Sequence, residues 1–462
     1  MATHTPVVAL DAPGPSRAYS AVEARTQVKR WLALAVGSLL IAGVLALVLV
    51  IGRLPPLDAL FTDPLFFRRA LVVHVDLAIV VWFLGFFATL WFLLPTTRRI
   101  SPLSRVAPIV AWSGLLMMIV TALFPGVAPI LANYVPVLDD PLFLTGLVLF
   151  GTSLLASILD WRMSTSAEAA PSFIPPAARP GLRAGGLALL MAAFTFIAAA
   201  WTTPTTLPAD AYYEELVWGG GHVLQFVSVA AMLAVWLTLL TPVTGSPLSR
   251  KVTAILFFLL VLPTCIAPLM ADTRAPGTRL FFTRLMELGI FPVVTVFLVA
   301  CAIAIKRTPG AMRDPRVWGF VTSAALTIAG FILGASIDGS NTMVPAHYHA
   351  SIGAVTAAFM TVTHPLIAHL GLASSSPRAL RVARWQPVVF GFGQLAFALG
   401  FGFAGAAGAL RKTYGAEQAG SSLEQTVGLV VMGVGGFIAV VGGVAYLALV
   451  IGAWRRHSRR SA

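Results

Sequence analysis

The chain consists of long apolar runs separated by short polar connections. A helix needs about 20 mostly apolar residues to cross the hydrocarbon core of a bilayer, and twelve runs reach that length. Most of them begin or end at Arg, Lys, Asp or Pro. The pattern predicts transmembrane helices over residues 31–52, 69–95, 107–131, 141–159, 183–202, 216–241, 251–270, 281–305, 316–336, 343–371, 384–407 and 426–453.

Basic residues are concentrated in every second connection between the predicted spans. Clusters fall at 98–105, 306–316, 378–384 and 455–460, whereas the intervening connections carry few Lys or Arg. Cytoplasmic connections of membrane proteins carry the excess of Lys and Arg. The alternation therefore predicts that both termini are cytoplasmic.

The composition supports a membrane protein and excludes a soluble globular one. Hydrophobic residues make up 58% of the 462 residues and charged residues only 11%, whereas soluble domains carry roughly a quarter. The net charge of +13 comes from the basic connections, so it does not indicate nucleic-acid binding. We expect an all-α integral membrane protein, with a cytoplasmic tail over 1–30, one twelve-helix membrane domain over 31–453 and a basic cytoplasmic tail over 454–462.

Four of the eight histidines fall at one depth in the predicted bundle. His74 lies five residues into the second span, His222 six into the sixth, and His347 and His349 four and six into the tenth. These spans run in the same direction and a helix rises about 1.5 Å per residue, so the four imidazoles share the outer third of the membrane. Ionisable side chains inside a membrane mark functional sites by default. A hydrogen-bonded structural role is the alternative for any one of them.

The pair in "AHYHASIG" indicates what the histidines bind. Side chains two apart on a helix project about 200° from each other, so His347 and His349 face opposite sides of the tenth span. Zinc or copper would need ligands that converge on one point, whereas haem iron readily takes a single histidine nitrogen on one face. The spacing therefore favours two haems flanking this helix. The alternative is a polar patch around Tyr348 against another helix.

Twelve spans with one histidine on the second, W-x-x-x-H on the sixth and H-x-H on the tenth resemble subunit I of the haem–copper oxidase superfamily. This superfamily includes respiratory oxygen reductases and nitric oxide reductases. The resemblance extends over the whole hydrophobic chain, and it is carried by His74, Trp218, His222, His347 and His349.

The resemblance implies a role for each histidine. His74 and His349 are expected to bind the iron of a six-coordinate low-spin haem from its two sides. His347 is expected to bind a five-coordinate high-spin haem and to leave its distal face open. His222 is expected to ligate a second metal, non-haem iron or copper, that faces this haem.

A basic pair between the last two spans also fits the resemblance. Arg411 and Lys412 lie where the superfamily places basic residues on haem propionates, and such charge pairing is favourable at a membrane surface. The alternative is an ordinary solvated pair.

The sequence departs from the superfamily pattern around the second metal. The two adjacent histidines normally found at the outer end of the seventh span are absent, and Asp272 stands near their place. A carboxylate there can ligate iron, which accepts oxygen donors more readily than copper(I) does, or it is a residue of a solvated loop. The tyrosine often found four residues after the sixth-span histidine is replaced by Phe226, and Gln225 is the polar residue nearest to that position. Without a phenol, nitric oxide reduction is favoured over oxygen reduction.

The pattern as a whole predicts a haem-dependent oxidoreductase of a respiratory chain. Our first hypothesis is a di-haem subunit that reduces nitric oxide to nitrous oxide in the bacterial inner membrane, where it contacts lipid. Electrons would come from a cytochrome c or a cupredoxin-type donor at the outer face. The alternatives are oxygen-reducing cytochrome c oxidase subunit I with a divergent metal site, and a non-catalytic haem protein that senses a gas or relays electrons.

Overall fold

The computed structural model describes residues 15–51, 63, 65–96, 99–160, 172–372, 376–411 and 422–461. Within these residues it contains twelve helical spans that are long and apolar enough to cross a membrane. The predicted all-helical, twelve-span membrane fold is confirmed. Because twelve is an even number, both ends of the bundle lie on the same side, and which side remains a prediction.

Thirteen α-helices form the spans, which we number 1 to 12 in chain order. The α-helices are Pro15–Ile51, Phe66–Val75, Trp82–Trp91, Pro102–Thr121, Pro141–Leu159, Arg179–Thr202, Ala209–Thr244, Arg250–Val261, Thr278–Arg307, Pro315–Ala335, Met343–His369, Pro377–Ala406 and Leu423–Ser461. A π-helical segment, Asp76–Val81, joins the second and third of these helices into span 2. A 3₁₀ segment, Leu262–Met270, completes span 7, and a short 3₁₀ turn, Ala311–Arg313, precedes span 9.

Several spans begin with a short polar residue followed by proline. Ser101, Asp140 and Asp314 each accept a hydrogen bond from a backbone N–H of the first turn, at 3.1, 2.8 and 2.9 Å. Proline follows each of them, at a position where its missing N–H costs nothing and its fixed φ suits a helix. These caps explain why spans 3, 4 and 9 start where the sequence turns apolar.

Span 3 ends earlier than its hydropathy predicts. The expected range was 107–131, but the helix is Pro102–Thr121. The chain then turns through Gly126, whose φ is 85°, and forms an antiparallel pair of two-residue strands, β1 (Pro129–Ile130) and β2 (Val137–Leu138). The apolar residues up to 131, at the start of this 129–138 hairpin, were predicted as helix because hydropathy does not distinguish the two conformations. The prediction for this segment was therefore wrong.

The three spans that carry the histidine layer are the most buried in the bundle. In the central 18-residue windows of spans 2, 6 and 10, 72%, 83% and 78% of residues are buried, against 33% for spans 7 and 8 and 28% for span 12. Spans 7, 8 and 12 therefore face lipid over most of their surface. The histidines lie on helices that are enclosed by protein.

The predicted orientation can be tested with reporter fusions. We expect alkaline phosphatase to be active when fused after Pro276, between spans 7 and 8, and inactive after Gly310, between spans 8 and 9, because the basic connection stays in the cytoplasm. A fluorescent protein that matures only in the cytoplasm should fluoresce at the C-terminus. The reverse pattern for all three fusions would overturn the orientation.

Candidate functional site

His74 is held by span 1 in a defined tautomer. Its Nδ1 lies 2.8 Å from the carbonyl oxygen of Ala42. Since a carbonyl oxygen only accepts, Nδ1 carries the hydrogen and the lone pair of Nε2 remains for a ligand. Five residues earlier, the buried Arg69 pairs with Asp63 and donates to the carbonyl of Ala122 at 3.0 Å, which fixes this end of span 2.

His347 is held in the same way by span 9. Its Nδ1 lies 2.7 Å from the carbonyl oxygen of Gly330, so this ring also presents an unprotonated Nε2. The ring packs directly on the span 9 backbone, because a Cβ at Gly334 would lie only 2.6 Å from Nδ1. Glycine at this position is therefore needed for the imidazole to reach its carbonyl partner.

His349 faces the other side of span 10, as the two-residue spacing predicts. Its ring lies 4.8 Å from the ring of Phe397 and 5.9 Å from that of Phe401, both on span 11. Span 10 thus directs one histidine toward span 9 and the other toward span 11.

The turn after span 11 lies beside the start of span 10. A backbone bridge joins Leu410 to Asn341, two residues before span 10 begins. Arg411 is therefore next to the end of the helix that carries His347 and His349. Lys412, the other basic residue predicted to contact a propionate, lies outside the described residues.

These donor sets fit haem iron. Haem is commonly held by a histidine nitrogen, and metal-bound histidines usually donate their other N–H to a backbone carbonyl or carboxylate. His74 and His347 both meet this condition. His349 lies among aromatic rings, which suit the apolar faces of a porphyrin.

His222 has a different environment, because both of its nitrogens have partners. Nδ1 lies 2.7 Å from the carbonyl oxygen of Trp218, and Nε2 lies 2.9 Å from the hydroxyl of Tyr134. Nδ1 must carry the hydrogen, so Nε2 accepts the hydrogen bond from the phenol. The imidazole is only 2% exposed.

Tyr134 comes from the 129–138 hairpin and is held in an unusual backbone conformation. Its φ of 67° is the one positive value at a non-glycine position among the described residues. The preceding residue, Asn133, donates its backbone N–H and its amide to the carboxylate of Glu214, at 2.8 and 2.6 Å. Gly221 leaves room for the ring, since a Cβ there would lie 2.4 Å from Cβ of Tyr134.

The expectation that no phenol lies near His222 is therefore wrong. A tyrosine was sought four residues after His222 on the sixth span, whereas Tyr134 comes from the connection between spans 3 and 4. Burial raises the pKa of the Tyr134 phenol and the nearby Glu214 carboxylate raises it further, so the hydroxyl keeps its proton. A turn that carries a tyrosine could have been recognised from the segment "PILANYVP", which contains an asparagine, a tyrosine and two prolines.

Gln225, expected in the sequence to hydrogen-bond in the pocket, lies on the turn of span 6 that follows His222. It lines a small cavity together with Tyr134, Val80 and Ser228. Its amide donates back to its own helix, to the carbonyl of Gly221 at 3.4 Å. The glutamine is thus available to a pocket between spans 2 and 6.

Asp272, in contrast, is not brought to the histidine layer as a free ligand. Both of its carboxylate oxygens accept hydrogen bonds from the side chain of Arg274, at 2.9 and 3.0 Å, and the side chain is 42% exposed. The hydrogen bonds from Arg274 hold the pKa of this carboxyl below its usual range. Asp272 is therefore a solvated loop residue and not a metal ligand, because its carboxylate is paired within its own turn.

The residues around His222 do not fit a second metal. No group of three or more His, Cys, Asp or Glu side chains within the described ranges is arranged to hold a metal ion. Glu214 is bound to Asn133, and Glu215 pairs with Arg279 at 2.8 Å. We therefore derive no chemistry through such a metal.

One buried carboxyl group was missed by the sequence argument. Asp76 begins the π-helical segment of span 2, is fully buried and has no hydrogen-bond partner on either oxygen within the described structure. π-Helical turns are frequent at functional sites. The isolated acidic residue in "LVVHVDLAIVV" was the signal for it.

Comparison with known proteins agrees with this architecture. The model of the family described as "Cytochrome C and Quinol oxidase polypeptide I" matches residues 26–438. An uncharacterized protein from Rickettsia prowazekii (strain Madrid E) is 24% identical over 90% of this chain and 94% of its own length. One from Aquifex aeolicus (strain VF5) is 28% identical over 74% of this chain and 84% of its own length.

A solved structure is similar in fold. The cryo-EM structure of a heme-copper terminal oxidase dimer aligns with a TM-score of 0.70 and 16% identity, and the alignment covers 93% of this chain and 84% of that one. At this identity the likeness concerns the arrangement of the spans.

The contact between His347 and span 9 can be tested with Gly334→Ala. The new methyl group would clash with the imidazole, so we expect the high-spin haem signal to fall severalfold in visible absorption while the low-spin signal is kept. Gly151→Ala is the matched control, because a Cβ there meets nothing within 4 Å. An unchanged high-spin signal in Gly334→Ala would contradict the assigned position of His347.

Proposed function

Because the chain belongs to the family of cytochrome c and quinol oxidase polypeptide I, we propose that it is the di-haem membrane subunit of a respiratory reductase and that its substrate is nitric oxide. The observation that carries the proposal is the histidine layer. His74, His347 and His349 lie on the enclosed spans 2 and 10, and the two on span 10 point in opposite directions.

The ligand assignment follows from the neighbours of each ring. By the resemblance to the family, His74 on span 2 and His349 on span 10 are assigned to the two faces of one low-spin haem. His347 points toward span 9 and suits a separate high-spin haem. Arg411, at the outer end of span 10, is placed to pair with a propionate.

The number of electrons favours nitric oxide as the substrate. Each haem iron, when bound, stores and transfers one electron. Joining two NO molecules as N₂O takes two electrons and two protons and releases one water, so two haems suffice. Reduction of O₂ to water takes four electrons, so without a second metal the iron on His347 would have to give two of them and a nearby phenol one.

Protons and electrons are proposed to enter from the outer side. Glu214 and Glu215 precede His222 on span 6, and Arg279 pairs with Glu215 and lies 5.0 Å from the ring of Trp218. The chain has two cysteines, 36 positions apart, and no C-x-x-C-H motif, so we assign electron delivery to a separate cytochrome c or cupredoxin-type protein. The bacterial cytoplasmic membrane is the proposed location, in keeping with the Rickettsia and Aquifex relatives.

Oxygen is the second candidate substrate, and Tyr134 is the observation that favours it. A phenol beside the distal histidine can supply an electron and a proton for O–O cleavage. The sequence disfavoured oxygen as the substrate because no tyrosine was found near His222, and the position of Tyr134 removes that reason. Nitric oxide remains our first candidate because its reduction needs only one electron from each of two haems.

The haem assignment is tested by exchanging single ligands. We expect His347→Ala to remove the high-spin signal from optical and EPR spectra and to leave the low-spin signal, and His74→Ala to do the reverse, because each iron loses one axial ligand. His369→Ala, near the inner end of span 10, should leave both signals intact. If His74→Ala and His347→Ala leave the spectra unchanged, the assignment fails.

The substrate is tested by turnover of purified, haem-loaded protein. We expect NO consumption with stoichiometric N₂O formation, and O₂ consumption at least about tenfold slower, a rate ratio that corresponds to about 1.4 kcal/mol. Protein stripped of haem is the blank. Faster O₂ turnover would support the second candidate, and bound haem without turnover of either gas would indicate a gas-binding or electron-relay protein.

A further inference from the structure

Only one atom of His222 could bind a metal. Nδ1 donates its hydrogen to the carbonyl oxygen of Trp218 at 2.7 Å, which leaves Nε2. The Tyr134 hydroxyl lies 2.9 Å from Nε2, a normal distance for a hydrogen bond between the two atoms.

We propose that the Tyr134 hydroxyl takes the place of the second metal on His222, so that the distal pocket contains a phenol–imidazole pair and no metal of its own. This inference rests on the proposed function, since it concerns the pocket that faces the haem expected on His347. It goes beyond that function because it changes the number of metal centres at the site.

The position of the phenol is built into the structure around it. Tyr134 adopts φ of 67°, a region that costs a non-glycine residue conformational free energy and is retained only where the surroundings hold it. The carboxylate of Glu214 binds the preceding residue through two short hydrogen bonds. The ring packs on Gly221 and lies 4.3 Å from the imidazole ring of His222. The pair is thus fixed by the hairpin and by span 6 together.

A metal shared by the two side chains would lack further ligands. Zinc sites use at least three protein ligands, and iron sites that bind gases commonly use two histidines and a carboxylate. The two carboxylates that precede His222 on span 6, Glu214 and Glu215, are engaged with Asn133 and Arg279. The Tyr134 hydroxyl has one more neighbour, the sulfur of Met286 at 3.8 Å, and a thioether alone does not complete a site.

The chemical consequence is that a gas molecule would meet one metal centre and not two. It would bind the iron on His347, with the phenol and imidazole on the other side of the pocket. Copper or non-haem iron would then be dispensable for the activity of this chain.

The experiment compares full-length, haem-loaded wild-type protein with Tyr134→Phe and His222→Gln, and uses Tyr212→Phe as the matched control. Each sample is incubated with ferrous and cupric salts and desalted. Metal is then counted by mass spectrometry, and haem iron is determined separately as the pyridine complex. Infrared spectra of protein with ring-deuterated tyrosine report the phenol C–O stretch.

We expect substoichiometric copper and non-haem iron in the wild type and in all variants. Tyr134→Phe should also lose the C–O band of a phenol that donates a hydrogen bond, whereas Tyr212→Phe should keep it. About one non-haem metal per chain that disappears in Tyr134→Phe or His222→Gln would overturn the proposal. So would a C–O band of metal-bound phenolate in the wild type.

These outcomes are independent of the haem assignment. Failure of the proposed function appears as missing haem or unaltered haem spectra in the His74 and His347 variants. Failure of the present inference appears as a metal on His222, whether or not haem is bound. The wild-type metal count remains decisive even if one of the variants does not fold.

Discussion

The site depends on hydrogen bonds from histidine Nδ1–H groups to backbone carbonyl oxygens inside the membrane. His74, His222 and His347 each donate to such a carbonyl, at 2.8, 2.7 and 2.7 Å. A buried polar group without a partner costs about 1–3 kcal/mol, and hydrocarbon offers none. The same bond fixes the tautomer, so every one of these rings presents Nε2 to its own surroundings. The need for a hydrogen-bond partner inside the bilayer thus explains both why these histidines are stable there and why Nε2 is the nitrogen left for a ligand.

Close packing of helices makes these bonds possible. A carbonyl oxygen already bonded within a helix has a second lone pair, but a neighbouring ring reaches it only where no side chain intervenes. Gly334 provides that space for His347, and Gly221 provides the corresponding space for the ring of Tyr134. Small residues are common at contacts between transmembrane helices for this reason. In this bundle they allow functional groups, as well as backbones, to approach each other.

The twelve spans and the opposed directions of His347 and His349 could be predicted from the sequence, because length, hydropathy and a fixed angle per residue determine them. The hairpin could not, since the apolar residues after Thr121 resemble helix by hydropathy alone. Tyr134 lay in a predicted loop, and its contact with His222 depends on how the hairpin folds back against span 6. Side-chain contacts cannot be predicted from the periodicity of a sequence. The pairing of Asp272 with Arg274 and the lack of a described partner for Asp76 were therefore not predicted. Long, regular elements were thus predictable, and irregular connections that enter the bundle were not.

The hairpin shows that the chemistry of this site is decided partly outside the spans. The histidines of spans 2, 6 and 10 lie on helices, whereas the phenol beside His222 comes from the hairpin 129–138, in the connection between spans 3 and 4. A phenol at that position can donate one hydrogen bond and one electron, whereas a metal could bind the gas directly. The two arrangements therefore differ in the number of electrons available at one moment and in whether two gas molecules can be bound by separate metals. In this bundle, the group that meets Nε2 of His222 is therefore determined by a connection between spans and not by the twelve helices alone.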